Sequence, residues 1–201
     1  MRWLLKIRPA QSDDRGISIT EFGLIAPVFA VVIMGVLDVG HTLYMQAVLQ
    51  GALQKSARDA SLETGTQASI QTTIDAAVTD QVQRLAKAAT VTITRVNFRN
   101  YTKAATPAKE PFTDTDGDGT CDSGEPYEDS NKSGSWDIDN GRSGQGGAQD
   151  NVVFTAQVVY PRLFPFMRVV GLPANVTLNA STALVNQPYG DQAAVTVRNC
   201  P

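Results

Sequence analysis

Residues 15–44 read RGISITEFGLIAPVFAVVIMGVLDVGHTLY, and from 22 to 37 no residue carries a charge. As a helix rising about 1.5 Å per residue, that run spans about 24 Å, and the flanks 17–21 and 38–44 extend it past the ~30 Å of a hydrocarbon core. Arg2, Lys6, Arg8 and Arg15 precede it. Basic residues are retained on the cytoplasmic side. Residues 1–16 are therefore expected in the cytoplasm and the C-terminal part across the membrane. No A-x-A pattern follows the apolar run, so cleavage behind it by a signal peptidase is not expected.

The remaining length suits one compact domain. The chain has 201 residues and a net charge of −3. Residues 111–150 alone carry ten acids and two bases, a balance of −8, so the rest of the chain sums to +5. A local acidic cluster in a mildly basic chain suggests a cation site and gives no footprint for nucleic acid.

Gly16 directly precedes a helix start, and Glu21 follows five residues later at the head of the apolar run. This resembles the processing site of type IV prepilins, in which a membrane peptidase cuts after the glycine and the helix is kept. The counterpart is cleavage between Gly16 and Ile17. A carboxylate buried in hydrocarbon costs up to ~3 kcal/mol, so Glu21 calls for a partner. In the pilin resemblance that partner is the new α-amino group of a neighbouring subunit. The string from Gly16 to Pro27, with its Glu21-Phe22 pair and early proline, resembles the TadE-like family, and Ser56-Ala57-Arg58-Asp59-Ala60 fits its continuation. The stretches 160–165 and 176–186 also look like members of this family. The resemblance implies a minor pilin or pseudopilin of a tight-adherence (Flp-type) pilus. Its implied partners are the inner membrane, a prepilin peptidase and other pilus-assembly subunits. It implies a leader at 1–16, a pilin-like membrane helix at 17–44 and an exported domain at 45–201.

Beyond the membrane the helix is expected to continue, with Met45, Leu49, Leu53, Ala57 and Ala60 forming a stripe and Gly65 as its stop. A second helix would place Ile70, Ile74, Val78, Val82, Leu85 and Ala89 on one face. The period then changes to two. Val91 and Ile93 alternate with threonines, and Val96 and Phe98 resume on the shifted register, which suggests a bulge near Arg95. Segments 152–160, 176–185 and 193–198 also read as strands. The expected fold is α+β, a small antiparallel sheet behind a long helix.

Residues 99–150 carry no evident strand or helix, but they contain a ligand pattern. Asp114, Asp116, Asp118, the Thr120 carbonyl, Asp122 and Glu125 occupy the ligand positions of a twelve-residue EF-hand loop, with Gly119 at the sixth position. Calcium takes six to eight hard oxygens, and this spacing supplies them. A poorer copy begins fifteen residues on, with Asp129, Asn131, Ser133, Ser135, Asp137 and Asn140. Asn140 there replaces the bidentate glutamate. The spacing excludes the flanking helices of a true EF-hand pair. Gly144-Gln145-Gly146-Gly147 precedes a strand and lacks the Lys-Ser/Thr of a phosphate loop, so it reads as a flexible exit.

Cys121 and Cys200 have no metal-site spacing, and in an exported domain they are expected to form a disulfide. His41 is the only histidine. No triad, zinc cluster or dinucleotide fingerprint can be assembled, so neither an enzyme nor a small-molecule substrate is expected. The rival to a pilus subunit is a membrane-tethered, calcium-dependent adhesin that never enters a pilus.

Overall fold

The computed structural model describes residues 17–62, 67–106, 108–165, 168, 171–187 and 190–201. The elements run α1 (Ile17–Ala60), α2 (Ala68–Gln83), β1 (Thr90–Phe98), α3 (Tyr101–Ala105), β2 (Pro126–Asp129), β3 (Arg142–Ser143), β4 (Asn151–Pro161), β5 (Asn175–Val185) and β6 (Thr196–Asn199). The fold is α+β. A four-stranded antiparallel sheet has the order β3-β1-β4-β5, and β2 and β6 form a second, two-stranded sheet.

α1 is a single helix of 44 residues, about 66 Å long. No break marks the expected boundary at 44/45. The surroundings of the helix change along its length instead. Phe22, Leu24, Ile25, Val28 and Phe29 are exposed, and among the described residues Asp38 is the first buried one. From Met45 the expected stripe is buried at every position, Met45, Leu49, Leu53, Ala57 and Ala60. Gly65 lies outside the described residues.

Below that stripe, β4 and β5 turn alternate residues inward, as period-two patterning requires. Val152, Phe154, Ala156, Val158 and Tyr160 are buried on β4, and Val176, Leu178, Ala180 and Leu184 on β5. α2 completes the core through Ile74, Val78 and Val82. It ends at Gln83, so Leu85 and Ala89 fall outside the helix, and Leu85 is exposed.

The expected bulge near Arg95 is absent. β1 pairs with β4 in one unbroken register from Thr90↔Val159 to Phe98↔Asn151. Arg95 stays on the helix-facing side, where it pairs with Asp75 of α2 and lies 4.5 Å over the Phe154 ring. Val96 and Phe98 are apolar because the opposite face of the sheet is covered at this end. Gly141 sits against them, and a Cβ there would lie 2.7 Å from Val96 and 2.9 Å from Phe98.

The segment 99–150 is also more regular than its sequence suggests. It holds α3, β2 and β3, and the expected final strand 193–198 appears as β6, paired with β2 rather than with the main sheet. Pro126 is tolerated because it is the first residue of β2. The glycine-rich exit is tied down rather than free. Gln145 is buried and donates to the carbonyl of Ala60 at 3.0 Å and to Asn186 at 2.9 Å. Asn186 in turn donates to the carbonyls of Gln145 and Gly147. This buried amide pair caps the C-terminal end of α1, where last-turn carbonyls lack helical donors. Cys121 and Cys200 are joined as a disulfide, their Cα atoms 5.7 Å apart.

Two stability predictions follow from this packing. Leu53, fully buried, should cost about 2–5 kcal/mol on change to Ala, read as a lowered denaturation midpoint of the full chain in detergent. The Cys121–Cys200 bridge closes a loop of sequence separation 79 and should contribute about 4.5 kcal/mol in the loop-entropy model. Non-reducing peptide mapping should recover the linked pair, and reductant should lower the melting temperature; two free thiols would contradict the pairing.

Candidate metal centre and the exposed helix

The first acidic loop is built by its own carboxylates. Asp114 accepts from the amides of Gly117 at 2.6 Å and Gly119 at 2.9 Å. Asp116 accepts from Asp118 and Asp118 from Thr120. These short bonds coil the backbone, and Gly119 takes φ +78° at the sixth position, where a side chain would be strained. One carboxylate oxygen each from Asp114, Asp116 and Asp118 lie within 4.8 Å of one another, a spacing open to a cation. Glu125 is buried and closes the loop: its two oxygens accept the amides of Thr115 and Asp122. The hydroxyl of Thr120 holds the Asp118 carboxyl below its ordinary range, and the Asp118 charge pushes Asp122 up. The loop thus concentrates negative charge that a cation would relieve.

The second loop repeats this framework with neutral groups. Asp129 accepts from Gly134 at 3.2 Å, Asn131 from Ser133 at 2.9 Å, and the Ser133 hydroxyl from Ser135 at 3.2 Å. Asn131 and Ser133 both donate to Asp137, and these bonds, that of Ser133 foremost, lower its carboxyl. Asn140 does not enter this web. Instead Glu110, which lies ahead of both loops, accepts the amides of Ser130, Asn131 and Asp137. It is buried, and burial pushes its carboxyl above the ordinary range. Reading the loops as twelve-residue units overlooks Glu110. The available signal was the motif Glu-Pro-aromatic-x-Asp, which occurs at 110–114 and again at 125–129.

At the other end of the chain, α1 is long and apolar enough to cross a membrane. Gly16 lies outside the described residues, and Ile17 begins the described helix. Glu21 is exposed in the second turn from Ile17. Where the helix meets the domain, Asp38 is buried in an ion pair with Arg162, whose Nε also donates to the carbonyl of Pro173 at 2.8 Å. Beside it the Tyr160 hydroxyl donates to Thr42 and the Tyr160 ring meets His41 edge-on at 5.6 Å. The stretch 160–162 therefore fastens α1 at the point where its surroundings change.

Comparison with known proteins bears on this helix. Residues 16–58 match the family described as TadE-like protein. No curated protein and no solved structure matches the chain. The matched residues take in the exposed apolar part of α1 and nearly all of its packed part. Over residues 16–58, then, this α+β chain is similar to the TadE-like family.

Proposed function

We propose that the chain is a membrane-anchored minor pilin-like subunit, a pseudopilin, acting in assembly of a tight-adherence (Flp-type) pilus. One observation carries the reading: the TadE-like segment is a helix whose first half is apolar and exposed all round, while its second half is the spine of the α+β domain. A helix that is apolar on every side has to be covered by lipid or by other helices. A pilin-like subunit meets both, the bilayer before assembly and its neighbours after it. In this reading the leader 1–16 faces the cytoplasm and the domain lies outside the inner membrane. A prepilin peptidase cuts after Gly16, and Glu21 pairs with the new terminus of a neighbouring subunit. The role is structural rather than catalytic.

Mass spectrometry of the protein from its native host should give a mature chain beginning at Ile17, and Gly16→Leu should block that cut. Glu21→Ala should leave membrane insertion intact, since it removes a costly carboxylate, yet abolish assembly. A chain still beginning at Met1, or beginning beyond Leu37, would overturn the processing step. Normal piliation with Glu21→Ala would favour a tethered adhesin instead.

The proposal includes calcium in the first loop, held by Asp114, Asp116, Asp118, the Thr120 carbonyl, Asp122 and Glu125. The carboxylate spacing and the closure of the loop by Glu125 support it. Without flanking helices the affinity should be that of extracellular modules, ~10⁻⁴–10⁻³ M. At ten times Kd, binding adds about 1.4 kcal/mol, and the melting temperature of the full chain in detergent should rise by roughly 3–6 °C between chelator and calcium. An unchanged melting temperature, or an equal rise after Asp114→Ala with Glu125→Gln, would remove calcium from this loop.

A further inference from the structure

The segments leading into the two loops are copies, Glu110-Pro111-Phe112-Thr113-Asp114 and Glu125-Pro126-Tyr127-Glu128-Asp129. They lie antiparallel about an isolated bridge between Phe112 and Tyr127. The flanking bonds are reciprocal: Thr113 donates to the carbonyl of Pro126 at 2.9 Å, and Glu128 to that of Pro111 at 2.8 Å. The bridge is therefore the centre of a local two-fold arrangement. By this register Glu125 stands opposite Asp114 and Glu110 opposite Asp129, so each loop's first carboxylate faces the glutamate of the other copy.

The hydrogen bonds follow the same symmetry. The two oxygens of Glu125 accept the amides of the second and ninth residues of the first loop, Thr115 and Asp122. The two oxygens of Glu110 accept the amides of the second and ninth residues of the second loop, Ser130 at 2.7 Å and Asp137 at 3.2 Å. Glu110 stands to the second loop as Glu125 stands to the first.

A separate observation points to a ligand there. Asp129 is 1% exposed. Its Oδ2 accepts from Gly134 and from Arg198, while its Oδ1 is buried with no partner among the described residues. A buried carboxylate oxygen without a donor is costly, and a cation would satisfy it. Asn140, at the twelfth position by sequence, is also buried with its amide unpartnered among the described residues, but no hydrogen bond ties it to the loop as those of Glu110 do. Asn140 lines a cavity of about 260 Å³ in which three basic side chains, Arg99, Lys132 and Arg142, outnumber one carboxylate, Asp150.

We propose that the second loop holds its own calcium ion, with Glu110 as the bidentate ligand contributed from outside the loop. Asp129 Oδ1, Asn131, Ser133, the Ser135 carbonyl and Asp137 supply the other oxygens, and Asn140 supplies none. The site takes Ca²⁺ because it offers only oxygen donors, in the number that ion requires. This inference rests on the calcium reading of the first loop, and its test separates the two.

The probes are Ca²⁺ and Tb³⁺ on the full chain in detergent. Native mass spectrometry counts the bound calcium ions. Terbium luminescence excited through Trp136, which lies within the second loop and donates to the Glu110 carbonyl at 2.9 Å, reports that loop alone once the background of Trp136→Phe is subtracted. Two ions are expected. Glu110→Gln should remove one and lower the terbium signal at least tenfold. Glu125→Gln should remove the other and leave the signal, and Asn140→Ala should keep both. Glu110→Asp, which retains the charge on a shorter arm, should weaken the second site about tenfold while the near-ultraviolet circular dichroism in chelator stays that of the wild type; it carries the test where Glu110→Gln does not fold. No ion at all would overturn both readings. A single ion, lost with Glu125→Gln and kept with Glu110→Gln, would leave calcium in the first loop and overturn the role of Glu110. Loss of the terbium signal in Asn140→Ala, with Glu110→Gln unchanged, would return the ligand to Asn140.

Discussion

α1 has to be stable in two different surroundings without interruption. Its N-terminal half presents Phe22, Leu24, Ile25, Val28 and Phe29 outward, and its C-terminal half buries Met45, Leu49 and Leu53 against the sheet. In water the first half would be a liability, because a large exposed apolar surface recruits whatever covers it. The second half needs the sheet, since a lone helix in water gains little from propensity. The change-over is fixed by a buried ion pair, Asp38 with Arg162, set beside the Tyr160–Thr42 bond. Removing one partner of such a pair typically costs about 3–5 kcal/mol, because it strands a buried charge. The boundary between lipid-like and core-like helix is thus held by specific chemistry and not only by a gradient of hydropathy.

The acidic segment is a smaller unit hung on this frame. Its order comes from β2 paired with β6, from the Cys121–Cys200 link and from the bridge at Phe112 and Tyr127. Its attachment runs through Gly141 against Val96 and Phe98, through Asn97 to the carbonyls of Arg142 and Gly144, and through Gln145 to the end of α1. Ion binding in the loops would bear on a segment that is tied at both ends, so a change there reaches β1 and α1 through hydrogen bonds already in place.

Much of the frame was legible in the sequence because it obeys simple periods. The stripe on α1 and the alternation on β4 and β5 each report one buried face and one neighbour. What escaped depended on partners far along the chain. The shift from Val91 and Ile93 to Val96 and Phe98 looked like a bulge because alternation was assumed to serve one face, whereas both faces of β1 are covered near its end. β2 was hidden by Pro126 and by acidic residues, and its partner β6 is supplied from the far end of the chain. The acidic loops and their carboxylates stood out by local spacing. Glu110 was missed because its relation to Asp129 is set by antiparallel pairing and not by distance along the chain. Asp38 and Arg162 are 124 residues apart, and neither stands out in composition.

The way α1 lies on the sheet also determines how the molecule would bear force. Gln46 donates to the carbonyl of Asn179 and Gln50 to that of Ser181, so four residues of helix advance alongside two residues of β5. Those steps are about 6 Å and about 6.6 Å, which means helix and strand run side by side in the same direction. A pull along the helix axis, as in a filament under tension, would load this contact in shear, with Met45, Leu49, Leu53 and Ala57 resisting together. Peeling would break them one at a time. A chain whose exposed apolar helix is also the central rod of its folded domain would pass tension directly into its core, with no flexible linker to absorb it.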